Sequence, residues 1–413
     1  MSYFGIGQLR PITPISSLSA LLAHSRCASI DFSHGTPEFR GIKILVIPDK
    51  FKGTLDAATA AEAIGRGWRR ARPNDTTRSL PLTDGGDGFG EVFSGLLRAK
   101  RQVVKTIDSS GRPCETPWWW EPKSRTAVIE SARVIGLAML GCKKSPPSQL
   151  DTFGLGAVLQ AAAQKHPARC LIGIGGSATN DGGFGLARAL GWKFLDRDGH
   201  LIGRWTGLDS LQHLRPPQPH RKFQNLFVAV DVENPLLGPQ GATRVYGPQK
   251  GLRDLAAAER CLRRLAWVVK KELGQDLARV PGAGAAGGLG FGLMAFFGAQ
   301  LKPGFDLFAR QAGLGRHLSW ADLVITGEGK IDASTFMGKG VGRIASRCRE
   351  MQIPCIGLAG IASAGSAAHG PFTHIFGLSQ LTASEQARAR PVYWLERLAA
   401  RVAVRWQDAA GSL

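Results

Sequence analysis

Short apolar runs that end in glycines and acids recur along the chain, and this pattern constrains its fold more than any other feature. Six such runs are typical of buried strands: residues 42–48, 126–130, 170–174, 227–230, 323–326 and 355–358. Helix-like segments separate them. Strands that alternate with helices predict an α/β fold with mainly parallel sheets, and open sheets of this kind bind ligands at the carboxyl ends of their strands.

The glycine-rich stretch 173–183 joins one of these runs to a helix-like segment. Glycine lets a backbone approach a ligand closely, and free N–H groups at the start of a helix attract anions. Asp181 within the stretch is a candidate for holding a metal or accepting a proton. The alternative is a strand-to-helix turn that binds nothing. We predict a phosphate-binding loop, whose members are Gly175, Gly176, Ser177, Thr179, Gly182 and Gly183.

A second glycine-rich run, 281–290, supplies Gly284 and Gly287 as further candidate phosphate ligands. It contains a G-x-G-x-x-G pattern, but the residues before it are not strand-like. The pattern Gly173-x-Gly175-x-x-Ala178, with Asp196 about 20 residues on, is closer to a dinucleotide-binding fingerprint. An NAD(P)-dependent dehydrogenase is therefore one alternative function. The lysine motif of P-loop kinases is absent from the sequence.

Four polar clusters place carboxylates beside glycines: residues 49–54, 84–88, 181–185 and 327–332. Carboxylate oxygens are the hard ligands that Mg²⁺ prefers, and proteins commonly share Mg²⁺ with the phosphates of a substrate. Lys52, Lys250 and Lys339 each stand next to a glycine, where a lysine can reach a phosphate. Each acid alone is equally compatible with the capping of a turn. The repetition of the clusters favours a site for phosphoryl transfer.

Length and composition set further expectations. At 413 residues the chain exceeds one ordinary core, so we expect two domains. A net charge of +20 is compatible with a basic nucleic-acid-binding protein, a second alternative, but the basic residues are spread along the chain, so we expect no nucleic-acid partner. Seven scattered cysteines indicate reduced thiols of a cytoplasmic protein, and no apolar run is long enough for a membrane span. We expect residues 1–40 to be a poorly ordered extension, with a targeting segment as the alternative.

Several blocks, in one order, resemble the type I glycerate kinases. They are DKFKGTL at 49–55, PLTDGGDG at 81–88, DVENPLLGP at 231–239, YGPQKG at 246–251 and ADLVITGEG at 321–329, together with 173–183 and 281–304. The sequence departs from the family's pattern at Lys50, Asp87, Phe89, Ser334, Val341 and Arg343, where the family usually has Ser, Glu, Thr, Gln, Pro and Gly. Lys50 adds a positive charge beside an anionic substrate.

The resemblance implies two α/β domains with the active site in the cleft between them. The expected boundaries are 1–40 for the extension, 41–80 with 300–413 for a discontinuous domain, and 81–299 for an inserted domain. The resemblance also implies that the chain phosphorylates D-glycerate with ATP and Mg²⁺, with 2-phosphoglycerate as the product typical of this type. A homodimer is a further expectation.

Each candidate residue has an expected role in such a reaction. The catalytic candidates are Asp181, Asp84 and Lys52. The candidates for substrate contact are Asp49, Lys52, Asp231, Asn234 and Lys339. Asp181 and Glu328 are the candidates for holding Mg²⁺.

Overall fold

The computed structural model of the chain describes residues 41–141, 145–218, 223, 225–336, 340–362 and 370–410. Its strands are β1 Lys43–Val46, β2 Thr76–Ser79, β3 Lys100–Ile107, β4 Pro113–Glu121, β5 Thr126–Glu130, β6 Arg169–Gly173, β7 Lys193–Leu195, β8 His213–Arg215, β9 Leu226–Val230, β10 Gln300–Pro303, β11 Leu323–Ile331, β12 Cys355–Ala362 and β13 His374–Gly377. Its α-helices are α1 Ala57–Ala71, α2 Phe89–Leu97, α3 Ala132–Ile135, α4 Leu155–Gln164, α5 Phe184–Ala189, α6 Ala242–Tyr246, α7 Leu255–Leu273, α8 Ala285–Phe297, α9 Gly304–Ala312, α10 Leu314–Trp320, α11 Ala333–Phe336, α12 Gly340–Glu350, α13 Ser384–Ala389 and α14 Pro391–Ala410. Two predictions, the extension 1–40 and the role of Lys339, concern residues outside this set.

The two ends of the described chain form one five-stranded sheet in the order β13-β12-β11-β1-β2. All neighbouring strands in it are parallel. After the exposed Lys43, β1 is apolar because it is a central strand with helices on both sides, and Ile44, Leu45 and Val46 are fully buried. The pairing of β1 with β11 brings residues from opposite ends of the sequence to the same edge of the sheet.

The middle of the chain forms a six-stranded sheet in the order β10-β9-β6-β5-β4-β3. Its strands β10, β9, β6 and β5 run parallel, whereas β4 and β3 add an antiparallel hairpin at one edge. The expectation of an α/β fold with mainly parallel sheets is therefore confirmed. β3 and β4 were not among the predicted strands, because β3 is mostly polar and β4 begins at Pro113.

One apolar cluster contains residues of both sheets. Leu45 of β1 belongs to it together with Val128 of β5 and Leu171 of β6, and Phe93 of α2 and Phe305 of α9 are further members. The shared cluster fixes the loops at the carboxyl ends of β1 and β9 relative to each other, because both strands are anchored in the same apolar layer. Residues 41–413 form one compact unit, and the predicted boundaries at 80 and 300 stay a prediction.

None of the described helices is both long enough and apolar enough to cross a membrane. The described cysteines, Cys114, Cys170, Cys261, Cys348 and Cys355, are free thiols. Burial raises the pKa of the Cys170 thiol to about 12, which keeps it protonated and unreactive. The predicted reduced state of the thiols agrees with these positions, and the cytoplasmic location stays a prediction.

Candidate active site

The carboxyl end of β1 opens into a cavity that contains four of the predicted site residues. Asp49 lies just beyond β1, and its N–H donates a 2.8 Å hydrogen bond to the carbonyl of Gly327 in β11. Glu328 is the next residue of β11 and accepts a 2.7 Å hydrogen bond from Thr335 Oγ1. Both acids line a cavity of about 520 Å³ with Lys52 and Asp84. We call this space the acid cavity.

Asp84 reaches the cavity from the loop before α2, where it lies against the end of β9. Gly304, the first residue of α9, makes this approach possible: a Cβ there would lie 1.8 Å from the carbonyl oxygen of Asp84 and 3.0 Å from Asp231 Oδ1. Asp231 directly follows β9. Asp49, Asp84 and Asp231, which are far apart in sequence, therefore meet where β1 and β9 end.

The three carboxylates influence one another electrostatically. Burial, followed by repulsion from Asp84, raises the pKa of the Asp49 carboxyl to about 7, while the nearby Lys50 ammonium lowers it. The pKa of Asp231 is raised by desolvation from the surrounding protein atoms, then by the charge of Asp84 and a side-chain hydrogen bond with it, although part of Asp231 is open to solvent. Crowded acids of this kind favour a bound proton or cation.

Three lysines line the acid cavity, and one of them, Lys330, forms a 2.9 Å ion pair with Asp332. Lys50 Nζ donates a 3.2 Å hydrogen bond to the carbonyl of Asp87, in the loop that carries Asp84. The Lys52 side chain is exposed at the rim and forms no ion pair with any other residue in the described part of the chain. The ammonium of Lys52 is therefore available to an anionic ligand.

The predicted phosphate loop uses much of its backbone for packing. Gly175 N donates to Gly85 O at 3.1 Å, Ala178 N to Ile135 O at 2.7 Å, and Gly182 N to Gly287 O at 3.0 Å. Gly287 fits against the loop so closely that a Cβ there would lie 2.0 Å from the Thr179 carbonyl oxygen. The glycines thus allow two backbone segments to pack together. A phosphate could reach these N–H groups only if the bonds between the segments broke.

Asp181 is fully buried within this loop. It lines neither the acid cavity nor a larger cavity of about 1050 Å³ that runs along α2. Its Oδ2 accepts hydrogen bonds from Thr152 N at 2.9 Å, Thr152 Oγ1 at 2.8 Å and Gly185 N at 2.9 Å. Its Oδ1 accepts from Gly183 N at 3.2 Å. Burial raises the pKa of the carboxyl, and these donors lower it. The side chain is positioned to hold the start of α5.

Other predicted residues also hold the glycine-rich region. Asn234 Nδ2 donates to Gln240 O at 2.7 Å and its Oδ1 accepts from Tyr246 Oη at 2.6 Å. Gly284 N donates to the Asn234 carbonyl at 2.9 Å. Lys250 Nζ donates to Ser177 Oγ at 3.0 Å and to the Thr179 carbonyl at 2.7 Å. Neither Asn234 nor Ser177 lines the acid cavity.

A family model described as the glycerate kinase family matches residues 44–407. The chain belongs to the glycerate kinase family. A glycerate kinase of Halalkalibacterium halodurans is 37% identical over 369 residues, which cover 87% of this chain and 97% of that protein. A glycerate 2-kinase of Escherichia coli is 38% identical over 77% of this chain and 85% of its own length. A glycerate kinase of Bacillus subtilis is 39% identical over 79% of this chain and 86% of its own length.

A solved structure of the family supports the fold. The crystal structure of a putative glycerate kinase 2 from Salmonella typhimurium superposes with a TM-score of 0.76 at 32% identity, over 90% of this chain and all of that one. The glycerate kinase family member described here is therefore a kinase, and ATP is the phosphate donor that the family implies. The family favours phosphoryl transfer over the two alternatives, the dehydrogenase and the nucleic-acid-binding protein.

Under the dehydrogenase alternative, Asp196 would bind the ribose of the dinucleotide. In the structure this residue lies in the connection between β7 and β8, where its Oδ1 accepts 2.9 Å hydrogen bonds from the N–H groups of Asp198 and His200. The geometry is that of an acid that caps its own turn.

Sequence reasoning missed two residues that line the larger cavity, Glu130 and Arg133. Glu130 ends β5 and is buried, and its carboxylate accepts hydrogen bonds from Gly88 N at 3.1 Å and Gly90 N at 2.9 Å, at the start of α2. Arg133 pairs with Glu130 at 3.2 Å and with Glu91. The sequence did contain a signal for Glu130, because this acid ends the predicted strand 126–130, just as Asp49 and Asp231 follow β1 and β9.

Proposed function

We propose that this protein transfers the γ-phosphoryl group of ATP to D-glycerate and forms 2-phosphoglycerate and ADP. The observation that carries the proposal is the acid cavity, in which Asp49, Asp84 and Glu328 lie with Lys52 at the carboxyl ends of parallel strands. The names of the relatives support glycerate as the substrate, and the name of the Escherichia coli relative supports phosphorylation at the 2-position.

The donor set of the acid cavity fits Mg²⁺. Asp49, Asp84 and Glu328 offer hard carboxylate oxygens, and the raised pKa of Asp49 indicates a place where bound positive charge is favourable. Asp181, an earlier candidate, has both oxygens occupied by protein donors. We therefore assign the metal to Asp49 and Glu328, which leaves Asp84 to act on the attacking hydroxyl. When bound, Mg²⁺ would neutralise charge on the transferred phosphate.

The other side chains of the acid cavity have separate roles in the reaction. Phosphoryl transfer requires the protein chiefly to position the reactants and to neutralise charge. The exposed Lys52 ammonium binds the carboxylate of D-glycerate, because it is a cation at the rim without an ionic partner in the described residues. Asp84, between Asp49 and Asp231, orients the attacking hydroxyl and takes its proton as the new oxygen–phosphorus bond forms.

Three finer expectations accompany this proposal. The acid cavity would lie between a domain of 41–80 with 300–413 and a domain of 81–299. The enzyme would act in the cytoplasm on a small molecule, without nucleic acid. A homodimer stays a prediction, which the mass of the protein in solution would test.

The proposed activity is tested by coupled measurement of ADP release from ATP and Mg²⁺. The proposal requires release that depends on D-glycerate, with L-glycerate and an assay without acceptor as controls. Phosphorus NMR of the reaction then distinguishes 2-phosphoglycerate from 3-phosphoglycerate. ADP release that is independent of D-glycerate would contradict the proposed substrate, and a 3-phosphoglycerate signal would contradict the proposed product only.

A further inference from the structure

A second, larger cavity of about 1050 Å³ adjoins the acid cavity. Lys50, Lys52, Thr54 and Leu55 line both cavities, so the two spaces meet at the loop between β1 and α1. From this junction the larger cavity extends along α2 to α3 and the turn that follows it. Its volume is at the upper end of the range for small-molecule sites, about 300–1,000 Å³.

We propose that the larger cavity binds the nucleoside triphosphate, with the phosphates at the Lys50–Lys52 junction and the base against the apolar wall near α2. The inference rests on the proposed function, because it takes the acid cavity as the place of the acceptor. It places the nucleotide away from the glycine loop 175–183, in which the N–H groups of Gly175, Ala178 and Gly182 bind other backbone segments.

The wall of the larger cavity suits a flat aromatic base. Val92 and Leu96 of α2 line it together with Pro117 and Met139. These four side chains are only half-buried. Sites that bury most of a ligand are lined mainly by apolar side chains with a few polar groups that fix its orientation.

Charge distribution determines which end takes the phosphates. Both lysines of the lining, Lys50 and Lys52, stand at the junction, where Asp56 and Asp87 also line the cavity. Glu91, Glu115, Glu130 and the cation Arg133 line the part formed by α2, α3, β4 and β5. Glu91 and Glu130 already pair with Arg133, and Lys52 serves D-glycerate, so Lys50 at the junction is the cation left for the phosphates. The γ-phosphate therefore points to the junction and from there to the acid cavity. The cavity thus delivers the transferable phosphate to the side where Asp84 lies.

Arg133 is the polar group best placed to orient the nucleoside. Its guanidinium lines the cavity and is held by Glu91 and Glu130, which fix its direction. Glu130 is itself held by the N–H groups of Gly88 and Gly90. A planar guanidinium in a fixed position can stack on a base or donate to a ribose hydroxyl.

Val92→Trp tests the site by filling the apolar wall. We expect weaker binding of ATP, with the Kd from calorimetry without glycerate and the KM for ATP both raised about tenfold or more, since about 1.4 kcal/mol of lost affinity is a factor of ten. The KM for D-glycerate should change less than about twofold, because the acid cavity is untouched. The control is Val103→Trp, at an exposed position of β3 outside both cavities, which should bind ATP as the wild type does.

A second measurement covers the case in which Val92→Trp does not fold. Wild-type protein is photolabelled with 8-azido-ATP and the modified peptides are mapped. Label within α2 or residues 132–139 supports the site, whereas label confined to 173–183 would overturn it. Unchanged ATP affinity in a folded Val92→Trp variant would overturn it as well. If the wild type binds ATP in this cavity but does not phosphorylate D-glycerate, the proposed function fails and the nucleotide site stands.

Discussion

The hydroxyl of Thr326 in β11 donates a 2.7 Å hydrogen bond to the carbonyl of Ile47, across 279 residues of sequence. Both residues are fully buried. The bond lies beside the point where Asp49 N meets the carbonyl of Gly327, so it fastens the two segments that carry Asp49 and Glu328. The acid cavity therefore depends on contacts between the two ends of the described chain.

Thr326→Val should lower the free energy of unfolding by about 1–3 kcal/mol, because the buried Ile47 carbonyl loses its side-chain donor and an apolar methyl group takes the place of the hydroxyl. Chemical denaturation measures the change. Thr76→Val, at an exposed position of β2, is the control and should shift stability by less than about 0.5 kcal/mol. Equal effects of the two substitutions would show that the buried bond contributes nothing.

Asp181→Asn distinguishes a structural role from the catalytic role expected from the sequence. The amide offers one acceptor oxygen in place of two and turns an NH₂ group toward existing donors, so the variant should lose about 1–3 kcal/mol of stability. The turnover number of the folded protein should stay within about fivefold of the wild type. A fall of about a hundredfold, the size typical of a lost acid–base group, with unchanged stability would restore the catalytic role.

Lys250→Met should change how stability depends on pH. Burial lowers the pKa of Lys250 from 10.5 to about 7, while Asp181 opposes the shift. Between these two values the unfolded chain binds more protons than the folded one, so this lysine makes the wild-type protein gain stability as pH rises from about 7 to about 10. The variant should lack this gain, which is on the order of 4 kcal/mol over about three pH units. Parallel curves for wild type and variant, from denaturation at several pH values, would contradict a lowered pKa of Lys250 in the folded protein.

Gly304→Ala tests the close approach of Asp84 to the start of α9. An added Cβ would lie 1.8 Å from the Asp84 carbonyl oxygen, so the loop must move away from Asp231. We expect a fall in the turnover number of about tenfold or more, since small displacements of reacting groups are costly. Gly315→Ala is the matched control, because a Cβ at Gly315 in α10 meets no atom within 4 Å. Similar activities of the two variants would contradict the tight juxtaposition.

Lys52→Ala should mainly raise the KM for D-glycerate, by about tenfold, because a cation that holds the carboxylate in the ground state and transition state alike affects binding more than turnover. The exposed Lys193 of β7 supplies the control, Lys193→Ala. A fall in turnover with an unchanged KM would instead place Lys52 on the transferred phosphate. Two unchanged parameters would leave it as a surface residue.

Much of the fold could be predicted because its signals are local. The run 126–130 coincides with β5, and the acids after the runs 42–48 and 227–230 lie where parallel strands end. The hairpin of β3 and β4 escaped prediction because β3 is mostly polar and β4 begins at Pro113 and contains charged residues. Such sequences suit the edge of a sheet and differ from the apolar runs of the buried central strands.

The candidate site was harder to predict, because local chemistry does not distinguish a ligand-binding glycine from a packing glycine. The loop 173–183 and the run 281–290 each look like a phosphate loop alone, whereas in the structure Gly182 and Gly287 bind each other. Asp181 and Asp84 both stand beside glycines in the sequence. Only the long-range packing shows that Asp181 is enclosed while Asp84 lines a cavity.

The turnover number of Asp84→Asn with D-glycerate, at saturating ATP and Mg²⁺, tests the central claim most directly. The acid cavity is the proposed centre of phosphoryl transfer, and the amide keeps the size of the side chain while removing its charge and basicity. We predict a fall of about a hundredfold or more, with an unfolding midpoint close to that of the wild type. A folded Asp84→Asn variant with turnover within about threefold of the wild type would contradict the claim.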